Sequence, residues 1–141
     1  MKRKIGLLAT ARKKADEPAA AIDLYISPLF QKSVRYAVQN YDDFYLFSAK
    51  EGLLQKNQFI YPYNVSIKNF SLKEKQEWAK KVISKLREFE RPDLCIIYLH
   101  GGWVYREFLQ PELEKNGYAY EVPLEGLGIG KQLNWYDLHI K

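Results

Sequence analysis

Four short apolar runs punctuate the chain, at residues 5–9, 44–47, 94–99 and 119–122, and each gives way at once to polar or glycine residues. Runs of this length without a helical period predict buried strands. Between them the spacing turns helical. Ser27 followed by Pro28 is an N-cap and first-turn pair, and Leu29, Phe30, Val34, Ala37 and Val38 form the apolar stripe behind it. Ser71 and Glu74 form a capping box that opens the clearest helix, whose stripe is Trp78, Ala79, Val82, Ile83, Leu86 and Phe89. Residues 103–115 predict a third helix that Pro111 is expected to split, and residues 127–136 a terminal one. Residues 51–69 carry aromatics and Pro62 with no period, which predicts an ordered loop or a broken extended segment, of a length often given to function.

Strands alternating with helices imply an α/β three-layer sandwich with right-handed crossovers and a small, mostly parallel four-stranded sheet. The run at 94–99 is apolar on both faces, so it is expected at the centre, while 118–122 alternates and is expected at an edge. Parallel strands place their carboxyl ends on one side, so the four polar endings should meet along one rim, where such sheets bind ligands. The 141 residues are read as a single domain, 1–141.

Composition narrows the class. With 47% hydrophobic and 28% charged residues the chain is too apolar for disorder. One cysteine, Cys95, lies inside an apolar run, which excludes a disulfide framework and points to a reducing compartment. The apolar stretch after the first residues is too short for a signal peptide core, and no run reaches membrane-spanning length, so a cytoplasmic protein with no membrane partner is expected. The net charge is +5, and Lys2, Arg3, Lys4, Arg12, Lys13 and Lys14 all precede the first acid, Asp16. Such a cluster favours a phosphate-bearing partner.

The candidate chemistry lies in the strand endings. Gly101 and Gly102 follow the third run and precede a helix, so backbone N–H groups there can approach an anion closely. His100, just before them, is the natural group for proton transfer. Lys50, Glu51, Arg106, Glu125 and Gly126 join the same predicted rim, and Tyr61, Tyr63 and Tyr105 flank it. Both signs of charge beside aromatic faces suit a planar polar ligand with a phosphate. Two histidines and one cysteine do not make a metal site, so neither metal nor cofactor is expected.

Three segments resemble an uncharacterised bacterial and phage domain family: DLYISPLF at 23–30, LFSAKEGLL at 46–54 and PLEGLGIG at 123–130, with Ile60-Tyr61-Pro62-Tyr63 extending the second. More distantly the arrangement is similar to the YaaA-like peroxide-stress proteins and the lysine-transferring domain of archaeosine synthase. That kinship implies a fold akin to uracil-DNA glycosylases and work on nucleic acid or a modified base. The synthase domain carries a Pro-Cys-x3-Lys-Pro-Tyr pattern, against which this chain has Thr10 for the cysteine, keeps Lys14 and lacks the Pro-Tyr. The resemblance therefore carries over a location only, with Thr10, Lys14, Ser27, Ser48, Lys50 and Gly52 as the matched positions.

Two functions follow as expectations. One is an enzyme acting on a nucleobase, nucleotide or nucleic-acid base, with Gly101, Gly102 and Lys50 holding oxygens and His100, Glu51 or Glu125 managing protons. The alternative is a non-catalytic nucleic-acid or partner-binding module that uses the early basic cluster and the 51–69 loop.

Overall fold

The computed structural model describes residues 2–141. In chain order the elements are β1 (Arg3–Ala9), β2 (Ala19–Ala20), α1 (Ala21–Leu24), α2 (Pro28–Asn40), β3 (Asp43–Ser48), β4 (Gly52–Leu54), β5 (Phe59–Ile60), α3 (Leu72–Phe89), β6 (Cys95–His100), α4 (Trp103–Lys115), β7 (Ala119–Glu121) and α5 (Ile129–His139). The main sheet has five strands in the order β4-β3-β1-β6-β7, and its pairs are parallel except β3 with β4. The expected four strands are present. The fifth, β4, comes from the segment expected as a loop or broken extended stretch, and the extended reading holds: Gly52 takes φ 68°, which lets the chain reverse and pair Leu53 with Phe47. A second two-stranded sheet, β2 with β5, ties that segment to the stretch after β1.

The middle of the sheet is β1, not the 94–99 run. Its Ile5, Gly6, Leu7 and Leu8 are all buried, between β3 and β6. β6 lies one strand off centre, with Cys95, Ile97 and Leu99 buried and Ile96 and Tyr98 half-buried on its other face. Leu94 stays outside the strand and is exposed, because Pro92 opens a 3-10 turn that carries the chain as far as Leu94. β7 is an edge strand of three residues, as its alternation predicted.

Two helical layers cover the sheet. On one face, Trp78, Val82, Ile83 and Leu86 of α3 and Leu109 and Leu113 of α4 close over Ile5, Leu7, Phe47, Ile97 and Leu99. On the other, Phe30 and Ala37 of α2 meet Leu8, Phe44 and Leu46, and α5 packs beside α2. Both predicted caps form: Ser27 Oγ accepts from the Phe30 N–H at 3.2 Å, and Ser71 and Glu74 exchange bonds of 3.1 and 2.8 Å. Phe89, assigned to the core stripe, instead lies 39% exposed at the end of α3 and stacks on Tyr45. Pro111 does not split α4, which runs unbroken from Trp103 to Lys115. The helix forgoes one backbone rung at the proline and is held there by buried Leu109 and Leu113 on either side.

Gly6 explains how the second face is filled. A Cβ at this position would meet Tyr41 Cδ2 at 2.7 Å, so only glycine lets the Tyr41 ring lie flat over the middle strand, where it stacks on Tyr98 at 4.8 Å. The early basic residues do not make one patch. Lys2, Arg3 and Lys4 stand at the start of β1 and Arg12, Lys13 and Lys14 beyond its end, so the strand holds the two groups roughly 20 Å apart.

Candidate functional site

The connections leaving β1 and β6 run in opposite directions across the sheet, β1 through α2 to β3 and β6 through α4 to β7. Their carboxyl ends therefore form a switch point, where open α/β sheets leave a crevice. A pocket of about 200 Å³ occupies that crevice, lined by Thr10, Ser27, Ser33, His100, Gly101, Gly102, Tyr105, Gln132 and Tyr136 among others. It opens into a larger cleft of about 410 Å³ that shares Thr10, Ala11, Tyr105 and Ile129 and continues along Arg12, Lys14, Tyr63, Asn64, Ser66 and Lys68. The two compartments differ in charge. Apolar side chains such as Leu29, Phe30 and Ile129, with hydroxyl, amide and backbone groups among them, line the inner one without a charged side chain, whereas three cations and no carboxylate line the outer one. Among the described residues Arg12, Lys14 and Lys68 make no ion pair.

Local folding puts these groups in place. Thr10 continues the β1 ladder, its N–H donating to Phe47 O at 3.1 Å and its hydroxyl to the same oxygen at 2.9 Å. Lys14 is pinned by an antiparallel bridge to Tyr25, with Ala15 N–H donating to Leu24 O at 2.8 Å and Ile26 N–H to Lys13 O at 3.1 Å. The ammonium of Lys14 lies 4.4 Å from the Tyr63 ring centroid and that of Lys50 lies 5.4 Å from it. Partial burial, and secondarily the Arg12 guanidinium, hold the Lys14 pKa below the usual lysine range. Tyr63 in turn shares a 2.5 Å hydroxyl contact with buried Tyr25, whose own ionisation burial pushes upward. Gly101 sits in tight packing: an added Cβ would lie 3.1 Å from Phe47 and 3.2 Å from Ala9, so a larger residue would push these neighbours aside by a few tenths of an ångström. Arg106 is buried, donating through Nε to Gly101 O at 2.9 Å and through Nη1 to Gln110 at 2.9 Å. It fixes the strand-to-helix turn. α4 and α5 begin at Gly102 and Gly128 with no side-chain cap, so their first N–H groups add partial positive charge at this rim.

His100 lines the inner pocket but is not free. Its Nε2 contacts Tyr41 Oη at 2.5 Å and its Nδ1 contacts Tyr136 Oη at 2.7 Å. Burial alone lowers its pKa to about 3, so the ring is neutral, with one nitrogen donating and the other accepting. Both nitrogens are committed to tyrosines, and the expected proton carrier is built as a brace between β6 and α5.

The other expected residues divide. Thr10, Ser27, Gly101, Gly102 and Tyr105 come together in the inner pocket, and Thr10, Lys14, Tyr63 and Tyr105 in the outer cleft. Ser48 is buried, and its Oγ accepts from the Glu51 N–H at 2.9 Å, a turn contact. Lys50, Glu51 and Gly52 line a neighbouring groove against Trp78, Glu74 and Lys81 of α3, and only the Lys50 ammonium reaches toward the cleft. Tyr61 is exposed and packs on Phe59. Glu125 and Gly126 sit in the turn after β7, two strands from β1, and line neither compartment. Sequence reasoning missed Ser33, Gln132, Ile129, Tyr41 and Tyr136. Lys68, Ser66 and Asn64 belong to the loop flagged for its length, and Gly6, a glycine inside an apolar strand, was the available sign of a ring lying over the sheet.

Among the described residues no three metal-ligating side chains gather, and no helix is long and apolar enough to cross a membrane. Cys95 is buried, with its thiol pKa raised to about 11 by burial. No curated protein matches the chain, and no solved structure matches it. The chain belongs to a family of unknown function, DUF6884, whose model matches residues 5–138.

Proposed function

We propose that the cleft binds a phosphate-bearing nucleotide or a base within a nucleic acid, with the phosphate against Arg12 and Lys68 and the uncharged part toward Thr10, Ser27, Gly101 and Tyr105. The observation that carries this reading is the outer compartment itself: three cations gathered in one cleft with neither a lining carboxylate nor an ion pair. Like charges so gathered repel, and an anion relieves the repulsion. The faces of Tyr63 and Tyr105 in the same cleft favour a planar head over a bare phosphate. Kinship with uracil-DNA-glycosylase-like folds belongs to the same proposal.

Of the two expected functions, the binding role has the specific support. His100 has no free nitrogen, and the carboxylates of Glu51 and Glu125 lie outside both compartments. A thermal-shift series with nucleosides, nucleoside monophosphates, pyrophosphate and short single-stranded oligonucleotides tests the reading, since ligand that binds the folded state raises its stability by mass action. Phosphorylated compounds should stabilise and nucleosides should do so weakly. Equal response to nucleosides and nucleotides, or none to either, removes the proposal.

A further inference from the structure

Most lysines among the described residues make no ion pair, so the lack of one does not single out Lys14; its half-buried amine, held between a backbone carbonyl and two aromatic rings in the cleft, does. The Lys14 ammonium donates to Arg12 O at 2.8 Å and otherwise faces the rings of Tyr63 at 4.4 Å and Tyr25 at 5.8 Å. Its backbone is fixed on both sides by the bridge to Tyr25, so the amine projects from a rigid base into the cleft.

We propose that Lys14 is a nucleophile that captures a phosphate-bearing aldehyde or ketone as an imine, with Arg12 and Lys68 holding the phosphate beside the amine. This rests on the phosphate cleft proposed above. Lysines that react in this way are partly desolvated and stand next to a second cation, which keeps a larger share of the amine uncharged. Lys14 meets both conditions, and its pKa is lowered by those same two causes. The chemistry balances without an oxidant or reductant. The nitrogen lone pair forms the C–N bond as the carbonyl π pair moves to oxygen, and one N–H proton passes to that oxygen to give a carbinolamine. The hydroxyl then leaves with the second N–H proton as water, and a C=N bond remains. Water reverses the sequence, so the capture is reversible.

Pyridoxal 5′-phosphate is a probe with an aldehyde and a phosphate, and pyridoxal is the same aldehyde without the phosphate. The full-length protein is incubated with each, reduced with borohydride and mapped by peptide mass. The expected result is an adduct on Lys14 that forms at least tenfold faster than on exposed Lys13, is suppressed by pyrophosphate and is slow with pyridoxal. Labelling of Lys14 no faster than of Lys13, or labelling indifferent to the phosphate, overturns the proposal. Lys14→Arg keeps the charge and should lose the adduct while retaining stabilisation by pyrophosphate. If pyrophosphate stabilises the wild type and this variant alike, yet Lys14 shows no preferential adduct, the imine is wrong and the phosphate cleft stands. If pyrophosphate stabilises neither, the cleft reading falls and the imine with it.

Discussion

The two ends of the sheet treat charge in opposite ways. At the amino end, Glu90 is buried and satisfied: Arg3 donates to it through Nε and Nη2 at 3.3 Å each, and the Tyr45 hydroxyl donates to it at 2.7 Å. The Tyr118 hydroxyl donates to the Glu90 carbonyl at 2.6 Å, and Lys56 lies 2.8 Å from Asp43 nearby. At the carboxyl end, Arg12, Lys14 and Lys68 share a cleft with no acid. The contrast teaches that the chain uses its charges in two ways, paired around a buried carboxylate at one end and unpaired in an open cleft at the other. One end uses them in pairs to hold β1, β3 and the α3–β6 connection together, and the other leaves them unpaired, with exposed Arg12 and Lys68 free to attract an anion.

Acid should break the carboxyl end first. His100 is neutral when folded with a pKa of about 3, against about 6.5 unfolded, so between these values the unfolded chain binds more protons. The stability it contributes is present above pH 6.5 and is lost as pH falls toward 3, at most on the order of 5 kcal/mol over the whole window. Urea melts at pH 7, 5.5 and 4.5 on the wild type and His100→Gln measure this, and the wild type should show the steeper fall. Parallel curves would mean that His100 is not held neutral.

At the other end, Glu90→Ala strands the Tyr45 hydroxyl and should lower stability by about 2 kcal/mol. Denaturation checks this, and the pyrophosphate response of the variant should be intact because the change lies at the far end of the sheet. Arg12→Ala and Lys68→Ala should behave in the converse way. Each should weaken pyrophosphate affinity by about tenfold, near 1.4 kcal/mol, yet leave the ligand-free melting temperature unchanged or slightly raised. A loss of ligand-free stability in both variants would show that the two ends are not so different. The smallest effect belongs to Lys13→Ala, which removes an exposed charge and should alter stability by no more than about 0.5 kcal/mol. A melt alongside the other variants checks it.

Much of this architecture was legible because it rests on local rules. The caps at Ser27 and Ser71 and the alternation at residues 118–122 are short-range signals, and they placed α2, α3 and β7 correctly. The run at 94–99 is an interior strand paired on both sides, as expected, but that β1 and not β6 takes the middle place depends on crossover direction, a property of pairing rather than of either apolar segment. The candidate site was legible as a rim, since Thr10, Ser27, Gly101 and Tyr105 do converge. His100 was read by residue type, but its partners Tyr41 and Tyr136 lie far from it in sequence. The six early basic residues looked like one cluster because the seven residues that separate their halves in space add little separation in the text of the chain.

The sheet also ends abruptly at both sides. β4 and β7 have three residues each, and among the described residues no further strand pairs with either at the outer side. A passing chain that tried to extend the sheet would find only a few rungs on either side before its template ran out. Long open edges invite edge-to-edge aggregation, and short ones are a common defence against it. The strands best suited to templating, β1 and β3, lie inside the sheet with neighbours on both sides. The short outer strands therefore shield the apolar centre of the sheet from edge-to-edge pairing with a second chain.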